Sequence, residues 1–196
     1  MLSNVDLKIV FLGFSSVGKT SLIQRFCQGV FKPGGLATIG AGFLAHTIRT
    51  TTQEITLLLW DTAGEERFRS VAPCLLHGAD GMVLVYDTSN SDSFKEIDIY
   101  YDMFINVVGK KKNSPLPILL FGNKSDLGVN SVSDDEIGQW VDSKNIMFSA
   151  IGSAKSGENV KNEIEKFVKA IVDSKSPSLT IPMSLDDIVP KKRPCC

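Results

Sequence analysis

Gly13-Phe14-Ser15-Ser16-Val17-Gly18-Lys19-Thr20 has the residue types and the G-x-x-x-x-G-K-[ST] spacing that suit a polyphosphate. In such a loop backbone N–H groups turn inward on an anion, and a helix starting at its end adds positive potential. Lys19 would reach the outer phosphates. The Thr20 hydroxyl would ligate Mg²⁺, which keeps most of its other ligands as water and phosphate oxygen. A second cluster is Trp60-Asp61-Thr62-Ala63-Gly64. Its acid would hold the same ion through a water, and the Gly64 N–H could approach the terminal phosphate. A third is Asn123-Lys124-Ser125-Asp126. The Asp126 carboxylate can accept two parallel hydrogen bonds from guanine N1–H and its 2-amino group, an arrangement adenine does not offer. The Lys124 stem would lie over the base, and the N–H groups of Ser153-Ala154-Lys155 could meet the guanine 6-oxygen.

These residues need a scaffold that brings them to one edge. Apolar runs at Lys8–Leu12, Phe43–Arg49, Ile55–Trp60, Met82–Tyr86, Leu116–Phe121 and Ile146–Phe148 read as strands. Met82–Tyr86 is apolar throughout, as a strand buried on both faces should be. Helical spacing follows the glycine loop at Leu22, Ile23 and Phe26. It recurs as one helix at Phe94, Ile97, Tyr101, Phe104 and Val108, again over Asp134–Ser143, and at Val160, Ile164, Phe167 and Ile171. Alternation of strands and helices predicts an α/β fold, a six-stranded, mostly parallel sheet with helices on both faces. The short polar link between Phe43–Arg49 and Ile55–Trp60 predicts a hairpin, hence one antiparallel edge strand. Each motif then follows a strand, where doubly wound sheets bind ligands.

The chain's 196 residues suit one domain plus a tail, with boundaries at 1–173 and 174–196. A net charge of −1 gives no reason to expect nucleic acid. No apolar run approaches a membrane span, and a signal peptide is not expected. Cys27, Cys74, Cys195 and Cys196 form neither a disulfide framework nor a C-x-x-C metal pattern, which favours a reducing cytosol. Lys191-Lys192-Arg193-Pro194-Cys195-Cys196 joins a basic cluster to two lipid-acceptor candidates. Stable anchoring takes two such signals.

Together these motifs resemble the Ras superfamily of small GTPases over residues 7–172, and within it the Rab family. Thr38-Ile39-Gly40-Ala41-Gly42-Phe43 is similar to the Rab effector loop, Trp60–Phe68 to its second switch, and Leu84-Val85-Tyr86-Asp87-Thr88 to its next strand. The resemblance implies a P-loop NTPase fold and a monomeric GTP hydrolase using Mg²⁺ and GTP/GDP. It implies nucleotide contacts from Ser15, Ser16, Val17, Gly18, Lys19, Thr20, Ser21, Phe31, Thr38, Asp61, Gly64, Asn123, Lys124, Asp126, Ser153, Ala154 and Lys155. Thr20, Thr38 and, through water, Asp61 would serve the metal. Lys19, Thr38 and the residue at Glu65 would serve hydrolysis, and Ile39, Phe43, Trp60 and Phe68 effectors. The resemblance further implies an exchange factor, an activating protein and prenylation and extraction chaperones. Geranylgeranyl groups on Cys195 and Cys196 would hold the protein on the cytosolic face of an endomembrane. An ATPase or nucleotide kinase is the competing enzyme class, which Asp126 disfavours.

The chain also departs from that pattern. Gly35 replaces a tyrosine that closes over the phosphates, and Leu75-Leu76 replaces Tyr-Tyr. Glu65 stands where the family has the glutamine that orients the attacking water. A carboxylate puts negative charge beside an anionic phosphoryl group and lacks the amide donor. The alternative that follows is a mostly GTP-loaded binding module with little intrinsic hydrolysis. Glu65→Gln should therefore raise the single-turnover GTPase rate of the free protein. Equal rates for the two forms would contradict the charge argument.

Overall fold

The computed structural model describes residues 3–34, 38, 40–49, 53–62, 72–109 and 116–175. Its strands are β1 (Ser3–Leu12), β2 (Ala41–Arg49), β3 (Gln53–Thr62), β4 (Gly81–Asp87), β5 (Leu116–Asn123) and β6 (Ile146–Ile151). They form one sheet in the order β2-β3-β1-β4-β5-β6. Every pairing is parallel except β2 with β3, so the expected antiparallel edge is present. β1 starts five residues earlier than its apolar run. Asn4 and Asp6 stay in the ladder because their backbones pair with Glu54 and Thr56, whatever their side chains prefer.

Among the described residues six α-helices accompany the sheet: α1 (Lys19–Gln28), α2 (Ala72–Leu76), α3 (Ser91–Lys95), α4 (Ile97–Val108), α5 (Asp134–Lys144) and α6 (Val160–Lys175). Strand side chains alternate between two cores, as pleating requires. Leu7, Ile9, Phe11, Val83 and Val85 meet Leu22, Ile23 and Phe26 of α1 and Ile164, Phe167 and Ile171 of α6. Val10, Leu12, Met82, Leu84 and Tyr86 meet Ile97, Tyr101 and Phe104 of α4 and Ile137 of α5. Cover on both faces explains why β4 is buried from end to end. Leu76 is fully buried in the second core, whereas Leu75 is half-buried.

The single helix expected over Phe94–Val108 is two. Asn90 caps α3 by accepting the Asp92 N–H, and the backbone turns at Glu96 (φ −85°, ψ −5°) before α4 begins. The break lets Phe94 pack edge-on against Tyr86, with ring centres 5.0 Å apart. A capping box at Ser133 and Glu136 starts α5. α6 continues to Lys175, two residues past the expected end of the pattern, and its Lys175 ammonium pairs with Asp80 just before β4. The remaining tail, with Cys195 and Cys196, lies outside the described residues.

Phe167 is fully buried and meets Phe148 edge-on at 6.3 Å. Phe167→Ala is expected to lower stability by about 3–5 kcal/mol in urea denaturation. A loss under about 1 kcal/mol would contradict the packing described.

Candidate functional site

The parallel strands all end on the same side, and the loops beyond them enclose a cleft of about 540 Å³. The loop after β1 forms one end. Gly13 has φ +146°, and a Cβ there would lie 2.1 Å from the Val85 carbonyl oxygen, so no larger residue fits. Gly18 has φ +96°, and a Cβ there would lie 2.4 Å from Asn123 Nδ2. Ser16 also takes a left-handed conformation (φ 62°), a strain the sequence pattern did not signal. α1 starts immediately afterwards, and its first residues, Lys19, Thr20 and Ser21, line the cleft.

Lys19 is 5% exposed, and its ammonium donates to the carbonyls of Gly13 and Phe14 at 2.8 and 2.9 Å. Burial pushes its pKa down to about 8, an effect the Asp61 carboxylate partly offsets. Burial pushes the Asp61 carboxyl up, against hydrogen bonding from Thr20 and the charge of Lys19. The Thr20 hydroxyl donates to Asp61 Oδ2 at 2.7 Å and lies 2.8 Å from the Thr38 hydroxyl. Asp61 Oδ1 is buried and has no hydrogen-bond partner among the described residues. Two hydroxyls and a carboxylate with an unused oxygen are hard donors that fit Mg²⁺. No group of three His, Cys, Asp or Glu that could chelate a softer metal occurs among the described residues.

The other end of the cleft holds two carboxylate–ammonium pairs. Asp126 accepts the Ser153 hydroxyl at 2.6 Å and pairs with the Lys155 ammonium at 3.2 Å. The Ser153 hydrogen bond, more than the lysine, holds its carboxyl below the usual range, so it is ionised at neutral pH. Lys124 pairs with Asp87 at 2.6 Å. Burial works against the Asp87 charge, but its hydrogen bonds with Lys124 and Ser89 prevail and keep it low. Between the two ends lies Asn123, 2% exposed. It donates to the Val17 carbonyl at 2.8 Å and accepts the Ala154 N–H at 3.0 Å.

The residues singled out by sequence therefore converge. Ser15, Ser16, Gly18, Lys19, Thr20, Ser21, Phe31, Thr38, Asn123, Lys124, Asp126, Ala154 and Lys155 line the cleft. Val17, Asp61 and Ser153 are buried within its wall. Phe43 and Trp60 lie opposite each other on the β2–β3 hairpin, ring centres 5.4 Å apart. Gly64, Glu65, Ile39 and Phe68 fall outside the described residues, as does Gly35. Sequence reading missed Gln24, Thr62 and Leu127 in the lining, and Asp87 beside Lys124. Asp87 ends an apolar strand, the same signal that marked Asp61 and Asn123.

A glycine loop after the first strand of a doubly wound sheet, with a carboxylate beyond the fifth, defines a P-loop nucleotide-binding protein. The Ras family model matches residues 8–173. Drosophila melanogaster Ras-related protein Rab7 is 39% identical over 163 residues, covering 83% of this chain and 79% of that protein. Volvox carteri GTP-binding protein yptV5 is 37% identical over 183 residues, covering 92% and 89%. Paramecium octaurelia Ras-related protein Rab-7a is 38% identical over 165 residues, covering 83% and 80%. The chain belongs to the Ras family and is a divergent small GTPase of Rab type.

Gly18→Ala tests the geometry of the loop. The left-handed backbone alone should cost about 1–2 kcal/mol, and the added methyl must displace the Asn123 amide. A fall in the denaturation midpoint together with faster nucleotide release is expected. Wild-type values for both would contradict the close approach.

Proposed function

We propose that this protein is a GTP-binding switch of Rab type that hydrolyses GTP to GDP and phosphate and regulates membrane traffic by recruiting effectors. The observation that carries the reading is the polarity of the cleft. The buried Lys19 and the glycine loop stand at one end, and an ionised Asp126 stands at the other. A guanine nucleotide has the matching order, with anionic oxygens at one end and two adjacent N–H donors at the other. Phe31 lines the cleft and packs against the first core, where it can border the base.

Mg²⁺ held by Thr20, Thr38 and, through water, Asp61 would neutralise charge on the phosphate oxygens. Lys19 adds a second positive charge there. Its depressed pKa means that a phosphate anion would relieve a burial cost already present in the fold. Thr38 joins the loop before β2 to the site. GTP would hold that loop and the segment around Gly64–Phe68 in one ordered form, which hydrolysis releases.

Phe43 is 59% exposed and packs against Trp60, and the Lys8 ammonium lies over the Trp60 ring 4.8 Å from its centre. An exposed Phe43 on the edge strand, backed by a half-buried Trp60, suits effector docking, for which Ile39 and Phe68 would be further contacts. Prenylation of Cys195 and Cys196 would place the protein on an endomembrane. No helix among the described residues is long and apolar enough to cross one.

Glu65 favours a second reading, in which hydrolysis is so slow that the protein stays loaded with GTP. Denaturing the purified protein and separating the released nucleotide tests both. About one guanine nucleotide per chain is expected, with GDP in excess. GTP in excess would favour the loaded module, and adenine nucleotide or none would overturn the guanine reading.

A further inference from the structure

We infer that Arg25 is a positioning residue that orients the base-selecting carboxylate of Asp126 by holding the loop after β6. The inference rests on the guanine-nucleotide reading above. Arg25 lies in the last turn of α1, outside every nucleotide motif. Its guanidinium nevertheless reaches the loop after β6. Nε donates to the Ala154 carbonyl at 2.7 Å, Nη2 to the Lys155 carbonyl at 2.7 Å, and Nη1 to the Gly29 carbonyl at 2.5 Å. A planar fork with fixed donor directions can satisfy these converging carbonyls, and a single ammonium cannot reproduce that geometry.

Holding those carbonyls fixes more than the carbonyls. In a trans peptide the next residue's N–H points the opposite way. With the Ala154 and Lys155 carbonyls turned to Arg25, the N–H groups of Lys155 and Ser156 are directed away from it. Both donate to Ser153 Oγ, each at 3.1 Å. A hydroxyl that accepts two amide protons has its own proton left to donate. Ser153 gives it to Asp126 Oδ1 at 2.6 Å. The relay runs from guanidinium to peptide planes to hydroxyl to carboxylate, and it sets the plane in which Asp126 meets the base. Because α1 also begins at Lys19, one helix fixes the phosphate end with its first turn and the base end with its last.

Inosine diphosphate, which lacks the 2-amino group, isolates the role. It retains the phosphates, ribose, 6-oxygen and N1–H, and loses one of the two hydrogen bonds to Asp126. The ratio of Kd for inosine diphosphate to Kd for GDP therefore reads how well the carboxylate is aimed. Both constants would be measured with Mg²⁺ on nucleotide-stripped wild type, Arg25→Ala and Arg25→Lys. Arg25→Ala is expected to lower the ratio about fivefold or more, because a misaimed carboxylate gains less from the second donor. Arg25→Lys should lower it less, and it serves as the test if the alanine variant does not fold. A merely structural arginine would weaken both ligands equally, so an unchanged ratio in the folded variants overturns the inference, even where affinity falls. Wild type binding GDP no better than ADP would instead overturn the guanine reading itself, and the role of Arg25 with it.

Discussion

The side-chain amide of Asn123 is the contact on which the cleft depends. It is buried at the end of β5, with one hydrogen bond to the glycine loop and another to the loop after β6. Three segments distant in sequence thus share one rigid group. Removing it would strand a buried carbonyl and a buried N–H, each at about 1–3 kcal/mol. It also explains Gly18, since the amide lies where any side chain at that position would go. The distance between the glycine loop and the Asp126 carboxylate is therefore set by a core residue.

Charge is organised around the same joint. Lys19 is buried enough to lose much of its basicity, and the hydroxyl–carboxylate group at Thr20, Thr38 and Asp61 retains an oxygen with no partner among the described residues. Both features are costs in the isolated fold that a polyphosphate with a divalent cation would remove. At the opposite end the acids are already satisfied, Asp126 by Ser153 and Lys155, and Asp87 by Lys124. Those partners keep the carboxylates ionised and aimed. The Lys19 end thus has most to gain from a ligand, and the Asp126 end is already organised.

Much of this was legible in the sequence because it is local. The glycine loop, Asp61, the Asn123–Asp126 run and Ser153–Lys155 each lie within a few residues of an apolar strand, and the strands follow from hydrophobic pattern alone. The antiparallel hairpin was legible for the same reason. What escaped is nonlocal. Arg25 meets residues about 130 positions away, and Lys155 reaches back to Asp126, so no window of sequence contains either pair. The break at Glu96 escaped because apolar spacing continues smoothly across it while the Asn90 cap and the Tyr86–Phe94 contact decide the backbone. Membership of the Ras family, by contrast, follows from the motifs in order and from the relatives matched over most of the chain.

The central claim is that one cleft holds phosphates on its glycine loop and reads guanine with Asp126. Calorimetric titration of nucleotide-stripped protein with GDP and with ADP, both in Mg²⁺, tests it most directly. The account predicts one saturable GDP site per chain and no ADP binding over the same concentrations. Equal affinity for the two nucleotides, or no heat from either, would contradict it.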